Sequence, residues 1–454
     1  MSRSTGIRCR LHRNTQKIKT LQRKLYAKAK QEPGYRFYAL YDKVYRADIL
    51  HHAYRLVRSN KGAPGIDGVS FAAIEAEEGV ETFLEGLAEE VKSRTYRPMP
   101  VRRVMIPKAD GSQRSLGIPT IRDRVVQMAV KLMIEPIFEA DFCDSSYGFR
   151  PKRSAHDAMG DISSALRKGH CEVIDADLSK YFDTIPHAKL MAVVAERIAD
   201  SGILHLIKQW LKAPVVEKGK DGKDSTSGGK GNRRGTPQGG VISPLLANLY
   251  LHLLDRIWER HGLERKYSAR LVRYADDMVL LCAKGTAKPL GMLMLRYILD
   301  RLELTLNETK TKVVNAWDES FGFLGFEVRM NLGRSGKAYP HIQPSKSAVK
   351  RINAKVTALT QRNLTPIPLP IIVQRLNQSL RGWACYFDYA NSTQIFGDVK
   401  RHAEERMRTH LRRRHKVKAR RVGQGRFPNR VLYDHHGLFK LPTTAPWKRA
   451  HALA

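Results

Sequence analysis

Two adjacent carboxylates, Asp276 and Asp277, interrupt an apolar run in "RYADDMVLL" (273–281). Leu271 and Val272 precede the motif and four apolar residues follow the acids, a pattern that predicts two short buried strands joined by a tight turn. Like charges at the tip of such a hairpin repel each other. The pattern therefore indicates that something strongly positive binds there.

A second acidic strand is predicted in "CEVIDADLSKYFDTIPH" (171–187), which contains Asp177. If this strand lies beside the hairpin, Asp177 meets Asp276 and Asp277 at one sheet edge, where the three carboxylates raise one another's pKa. Two divalent cations about 3.5–4 Å apart would resolve that conflict, and Mg²⁺ suits carboxylate and phosphate oxygens. The predicted chemistry is nucleotidyl transfer; the alternative is a surface turn with solvated acids, which the flanking apolar strands disfavour.

The charge of the chain indicates a polyanionic partner. Its 454 residues include 80 Lys and Arg against 44 Asp and Glu, a formal net charge of +36. Nucleic acid is favoured over an anionic membrane surface, because no basic amphipathic helix with a clean apolar face stands out. No uninterrupted apolar run of about twenty residues and no secretory signal is visible. The five scattered cysteines form no CxxC pair and fit a reducing compartment, such as a bacterial cytoplasm, with an organelle as the alternative.

The composition changes along the chain. Residues 38–328 alternate strand-like runs with helical periodicity, which is typical of a mixed α/β body. Within it, the Gly-, Lys- and Ser-rich stretch 217–235 is predicted to be an exposed flexible loop. Arg-rich helix follows, with a proline-broken join at "LTPIPLP" (364–370). The basic helix predicted in residues 15–30 is either an RNA-binding arm or part of an organelle transit peptide.

Several motifs together closely resemble the reverse transcriptases encoded by group II introns, which usually also act as maturases that help their intron RNA to splice. The motifs are "IPKADGSQRSLGIPTIRDRVVQ" (106–127), "SSYGFRPKRSAHDA" (145–158), "RGTPQGGVISPLLANLYLHLLD" (234–255) and YADD. The resemblance runs in order from about residue 60 to 389. It implies a right-hand polymerase of the α/β (α+β) class, with fingers and palm, an α-helical thumb or maturase domain, and a short basic C-terminal region.

The resemblance also suggests how the chain is divided. We predict a basic N-terminal extension (1–37), reverse transcriptase fingers and palm (38–343), a thumb or maturase domain (344–415) and a short basic, DNA-binding-like tail (416–454). Many relatives continue into a Cys/His-rich homing endonuclease, which this sequence is expected to lack. Without an endonuclease the protein could not cut a second DNA strand to make a primer. DNA synthesis could then start from existing 3′ ends, such as those at replication forks.

The resemblance assigns the metals and the catalysis. It implies that Asp177, Asp276 and Asp277 are catalytic and hold two Mg²⁺ ions, and that the backbone carbonyl of Leu178 joins the ligand set. It places Arg412, Arg413 and Arg414 in a nucleic-acid-binding surface.

Further residues are expected to contact the nucleotide. Lys108 and Arg114 flank the tip of a predicted hairpin, where two cations could hold a triphosphate. By resemblance, Gln238 touches the incoming nucleotide or its template partner, and Lys310 lies near the leaving pyrophosphate, although Lys312 is close by. Phe182 lies where the family carries an aromatic gate against the ribose 2′-hydroxyl; a plain core residue is the alternative.

The function expected from the resemblance is to copy intron RNA into DNA and to assist intron splicing. The expected partners are group II intron RNA in a ribonucleoprotein, target DNA and deoxynucleoside triphosphates, with no membrane. Two alternatives stay open. One is an RNA-binding splicing cofactor with dispensable polymerase activity, and the other is a domesticated reverse transcriptase used in phage defence or beside CRISPR genes.

Overall fold

The structure is a computed structural model that describes residues 2–107, 111, 113–218, 224–286 and 291–444, with side chains from residue 14 onward. The helices are α1 Ser2–Gln31, α2 Tyr41–Val44, α3 Ala47–Ser59, α4 Phe71–Ala73, α5 Val80–Lys92, α6 Ile121–Glu139, α7 Ala155–Arg167, α8 Tyr181–Thr184, α9 His187–Arg197, α10 Ser201–Leu211, α11 Ser243–Arg260, α12 Leu263–Tyr267, α13 Met292–Arg301, α14 Lys346–Leu359, α15 Leu369–Phe387, α16 Thr393–Arg414 and α17 Arg420–Arg426. The strands are β1 Val101–Pro107, β2 Gln113–Ile118, β3 Glu172–Ala176, β4 Pro214–Lys218, β5 Asp224–Gly228, β6 Ala269–Tyr274, β7 Asp277–Cys282, β8 Lys312–Asn315, β9 Phe321–Phe323, β10 Phe326–Leu332 and β11 Ala338–Pro344.

The strand order β6-β7-β3-β8 defines the sheet that we call the palm sheet. The predicted acidic hairpin is confirmed, since β6 and β7 pair antiparallel down to Tyr274 opposite Asp277. The second acidic strand does lie beside it, with Ala176 of β3 opposite Met278 of β7.

The palm sheet is buried on both faces, which explains why its strands read as continuous apolar runs. Successive side chains of a strand point to opposite faces. Along β7, Met278 and Leu280 pack into a core with α6 and α11. Val279 and Leu281 pack into a second core on the other face. The acidic edge of the sheet therefore lies where the two cores meet.

A hairpin with its turn at residues 109–112 was predicted, and the antiparallel pairing of β1 and β2 confirms its two strands. Lys108, the predicted triphosphate contact, lies outside the described residues. The prediction that 217–235 is an exposed flexible loop is wrong for residues 217–218 and 224–228, which form strands, although β5 is exposed as predicted. Strands β4 and β5 pair antiparallel, and β4 also runs parallel to β1. The β-branched Val215 and Val216 favour a strand, and β1 offers them hydrogen-bonding partners.

The basic N-terminal segment forms the long helix α1, which packs against α6. Ile18, Leu25 and Ala29 are buried on its apolar side, in the same core as α6. The amide of Gln22 donates a hydrogen bond to the carbonyl of Leu132, 3.1 Å away. The domain boundaries themselves remain predictions.

The second core joins the thumb helices to the sheet and to the tail. It contains Val356 of α14, Leu380 of α15 and Met407 of α16, together with Phe427 and Leu438 from the predicted tail. In the described parts of the chain, no helix has the length and apolar character needed to cross a membrane.

Candidate active site

The acidic residues of β3 and of the hairpin converge at one edge of the palm sheet. The antiparallel register pairs Asp175 with Val279, so Asp177, just beyond the end of β3, comes opposite Asp277. Because side chains alternate along a strand, both Asp177 and Asp277 fall on the face that Val279 presents to the thumb-side core. Asp276 lies in the turn between β6 and β7.

The carboxylates of this edge make ionisation costly for one another. Asp277 is exposed at the cleft, yet the protein around it and the charges of Asp276, Asp177 and Asp175 raise its pKa to about 6. Burial also raises the pKa of Asp276, while Arg114 opposes that shift. Asp175 has a pKa of about 6, because it is largely desolvated and lies near Asp177. A bound cation would relieve this repulsion.

Asp177 already has positive and polar partners. The Lys310 Nζ atom lies 3.5 Å from Asp177 Oδ2, and the Asn307 side-chain amide donates to the same oxygen at 3.1 Å. Lys312 instead pairs across the sheet with Asp175. Lys310, rather than Lys312, therefore contacts Asp177, the predicted metal ligand.

The backbone around Leu178 leaves its carbonyl available. Leu178 bridges Leu306 in antiparallel fashion, while the flanking bonds run from the Asn307 amide to the Asp177 carbonyl and from the Ser179 amide to the Thr305 carbonyl. In this pattern the residue between the two bonds points its own amide and carbonyl away from the partner strand. This orientation is compatible with the predicted role of Leu178 as a backbone ligand.

The fingers contact the glycine-rich loop before α11. The Arg114 Nε atom donates to Gln238 Oε1 at 2.9 Å, and the amide of Gly117 donates to the Gln238 carbonyl. Gly239 has a positive φ of 116°, and a Cβ there would meet the carbonyl of Gly117. The two predicted nucleotide contacts, Arg114 and Gln238, are thus brought together, and Arg114 is close enough to Asp276 to affect its pKa.

Phe182 lies in α8, directly after the acidic strand, and is only 7% exposed. Its carbonyl accepts a hydrogen bond from the amide of Thr236 at 2.7 Å, which ties it to the glycine-rich loop. Its ring packs edge-on against Tyr181 in the core shared with α11. This position is compatible with both readings of Phe182, the gate and the core residue.

Two neighbours of the site were not foreseen from the sequence. Asn307 binds Asp177 from the loop before β8, and nothing in its local sequence distinguishes it. Tyr386 of the thumb stacks on Phe326, and Asp277 contributes to the raised pKa of its phenol, after burial and Tyr274. These contacts join segments that are far apart in the chain.

The three arginines at the end of α16 have different surroundings. Arg414 donates to the carbonyls of Thr365 and Ile367 at 2.9 and 2.8 Å, and Arg412 donates to the carbonyl of Lys418 at 2.6 Å. Arg413 is exposed to solvent. Only part of this predicted nucleic-acid-binding surface therefore faces outward.

A metal site was predicted here from the carboxylates. Within the described ranges, no three or more His, Cys, Asp or Glu side chains are gathered closely enough to hold a metal ion. The donor set nevertheless fits Mg²⁺ in its chemistry, since hard carboxylate oxygens are grouped at one edge of the sheet, and their neighbours' charges help to raise the pKa of Asp277.

Comparisons with known proteins match two segments of the chain to families. Residues 106–328 match the family described as Reverse transcriptase (RNA-dependent DNA polymerase). Residues 349–427 match the Group II intron, maturase-specific domain. The second match covers most of α14 to α17.

Two curated relatives are similar over most of the chain. Protein YkfC of Escherichia coli K12 is 36% identical over 379 residues, 75% of this chain and 96% of YkfC. Group II intron-encoded protein LtrA of Lactococcus lactis subsp. cremoris is 31% identical over 66% of this chain, which spans 59% of LtrA. Among solved structures, telomerase from Candida albicans aligns with a TM-score of 0.43 at 13% identity, over 81% of this chain and 70% of that one.

Proposed function

The chain belongs to the group II intron-encoded reverse transcriptases and maturases, which are RNA-directed DNA polymerases, and on that premise we propose that it copies its intron RNA through a carboxylate-held pair of Mg²⁺ ions. The observation that carries this proposal is the register of β3 against β7, which puts Asp177 opposite Asp277 beside the turn that contains Asp276.

Asp177, Asp276 and Asp277 would hold the two ions, with the carbonyl of Leu178 as a further ligand. When bound, Mg²⁺ lowers the pKa of the attacking 3′-hydroxyl and stabilises charge on the leaving pyrophosphate. The raised pKa values of Asp276 and Asp277, and the exposure of Asp277 to solvent, support this assignment.

The remaining residues orient the nucleotide. Arg114 binds the triphosphate, as does Lys108, which lies outside the described residues. Gln238 contacts the nucleotide or its template partner, and its bond to Arg114 supports a joint action of fingers and loop. Lys310 would lie near the leaving pyrophosphate; its position 3.5 Å from Asp177 supports this role.

The partners follow from the same premise. The chain binds group II intron RNA as a ribonucleoprotein, assists its splicing, and acts on target DNA with deoxynucleoside triphosphates. The net charge of +36 and the basic thumb support polyanion binding. In a bacterial host the complex would lie in the cytoplasm, close to the nucleoid.

Primer extension by three variants tests the proposal. Asp276→Asn and Asp277→Asn should each lose on the order of a thousandfold or more in extension rate, because metals supply several kcal/mol to the transition state. The melting temperature and the affinity for intron RNA should be nearly unchanged, because each substitution removes a repelling charge. Asp175→Asn, on the same sheet, is the matched control and should retain most of the activity. Near wild-type extension by either hairpin variant would contradict the metal assignment.

A further inference from the structure

Arg273 occupies an unusual position for a charged residue. It is the penultimate residue of β6, next to the strand end at Tyr274, and its side chain is completely buried. A buried guanidinium is very costly unless it is paired and all its N–H groups are bonded. The contacts of Arg273 meet both conditions.

All five N–H groups of the Arg273 guanidinium have acceptors. Nε donates to Asp255 Oδ1 at 2.9 Å, and Nη2 donates to Asp255 and, at 2.7 Å, to Ser146 Oγ. Nη1 donates to Asn248 Oδ1 at 3.0 Å and to the carbonyl of Ala275 at 2.9 Å. The last bond is the one that reaches the acidic turn.

The Ala275 peptide is part of the connection that presents the carboxylates. Ala275 has a φ of 60°, in the left-handed region that an L residue other than glycine rarely adopts. Asp276 follows it directly, and Asp277 begins β7. A hydrogen bond to the Ala275 carbonyl from a rigidly held side chain therefore fixes a disfavoured turn in place.

The groups that hold Arg273 come from well-anchored parts of the fold. Asn248 and Asp255 are both buried on α11, two turns apart. The backbone of Arg273 also pairs with the segment before α7, donating to Ser145 and accepting from Tyr147, both at 2.8 Å.

That segment also closes over the acidic turn. Asn248 donates through its amide to the carbonyl of Gly148 at 2.5 Å. A Cβ at Gly148 would meet the backbone nitrogen of Ala275, so only glycine permits this approach.

We propose that Arg273 is a positioning residue, which holds the β6–β7 turn so that Asp276 and Asp277 keep their spacing to Asp177. This inference rests on the proposed function for the identity of the metal ligands. Arg270, on the same strand, offers a comparison: it pairs with Asp161 and Glu264, at the far end of β6 from the turn.

The test compares Arg273→Lys with Arg270→Lys, at a temperature well below the melting point of both variants. Lysine keeps the charge but lacks the planar fork, so it cannot bond Asp255 and the Ala275 carbonyl together. Arg273→Lys should lower kcat for primer extension on the order of a hundredfold, as displaced catalytic groups do. The KM for the nucleotide should change little, and Arg270→Lys should keep kcat near wild type.

Measuring metal binding directly distinguishes a role of Arg273 in positioning the carboxylates from a role in stabilising the fold alone. Mn²⁺ binding to the complex with a dideoxy-terminated primer, template and incoming nucleotide is measured from the loss of the free-ion EPR signal. Arg273→Lys should bind Mn²⁺ about tenfold more weakly, the value typical of one hydrogen bond to a charged group. Arg270→Lys should bind Mn²⁺ as wild type does.

The outcomes distinguish this inference from the function on which it rests. If Asp277→Asn binds Mn²⁺ as tightly as wild type, the proposed function fails. If Asp277→Asn loses Mn²⁺ but Arg273→Lys does not, the positioning role is wrong and the ion pair between Arg273 and Asp255 only stabilises the fold.

Should Arg273→Lys fail to fold, Ser146→Ala removes one hydrogen bond to the same guanidinium. It should then weaken Mn²⁺ binding in the same direction, and wild-type binding by this variant would also overturn the inference.

Discussion

Two alternatives were predicted for Phe182, a gate against the ribose 2′-hydroxyl and a plain core residue, and its position allows both. It belongs to the core between α6 and α11, and its carbonyl holds the loop that contains Gln238. A ring held so firmly is well suited to excluding a ribose 2′-hydroxyl by bulk. Its removal should therefore affect selectivity as well as stability.

We expect Phe182→Ala to admit ribonucleotides while deoxynucleotide incorporation persists at a lower rate. The cavity should also cost roughly 3–5 kcal/mol of stability, as for other buried phenylalanines. Phe138→Ala, in α6 of the same core and 3% exposed, is the matched control. It should lower the melting temperature similarly and leave sugar selectivity unchanged. A destabilised Phe182→Ala that still rejects ribonucleotides would refute the gate.

His252 gives the fold a predictable response to acid. Burial beside Phe142 and Cys143 lowers the pKa of His252 to about 4, against about 6.5 in an unfolded chain. Between these values the unfolded chain binds a proton that the native protein does not. Stability is therefore lost as pH falls from about 6.5 towards 4, by about 2 kcal/mol between pH 7.5 and pH 5.

Urea unfolding at pH 7.5 and at pH 5 measures this loss of stability as a fall in the midpoint concentration of urea. The midpoint of wild type should fall more steeply with acid than that of His252→Gln, which lacks the titrating group. His205→Gln, an exposed histidine of α10, should behave as wild type. Equal pH dependence in His252→Gln and wild type would exclude His252 as the cause.

Whether a secondary-structure element could be predicted from the sequence depended on whether local pattern or tertiary contact determines it. The β6–β7 hairpin was predictable because apolar residues flank Asp276 and Asp277 on both sides, and that pattern lies within nine residues. The strands at the start of 217–235 could not be predicted because the composition of this stretch is that of a loop, and its strand structure depends on the pairing of β4 with β1 and β5. Asn307 could not be found, since its role depends on where β8 approaches β3.

Neighbouring arginines at the end of α16 have different partners, so their substitution should affect RNA binding and stability differently. Arg413 faces solvent, whereas Arg414 is bonded to the carbonyls of Thr365 and Ile367. Arg413→Ala should reduce the log–log salt slope of RNA binding by about 0.7–0.9, the value of one phosphate contact. It should leave the melting temperature unchanged, whereas Arg414→Ala should lower it. Salt titrations and thermal melts of both variants measure this, and the reverse pattern would show that the α16 contacts are misassigned.

For the whole molecule, the acidic edge of the palm sheet lies between two hydrophobic cores. The palm sheet contributes Met278 and Leu280 to one core, and Val279 and Leu281 to the other. Packing on both faces of the palm sheet therefore fixes the acids at its edge relative to α6 and α11 on one side and to the thumb helices α14 to α16 on the other. Tyr386 of α15 lies close enough to this edge for the charge of Asp277 to contribute to the raised pKa of its phenol.

The net charge of +36 predicts how this molecule distinguishes its own intron from other RNA. Each phosphate contact contributes a log–log salt slope of about −0.9 on duplex and about −0.7 on single strands. Affinity for any structured RNA should therefore fall steeply as salt rises. Contacts specific to the intron do not depend on counterion release, so binding to intron RNA should persist at salt concentrations that release random RNA of equal length. Filter binding of the two RNAs over a salt series measures this. Coincident curves would contradict the maturase role and leave a general polymerase, because splicing assistance requires recognition of one RNA fold.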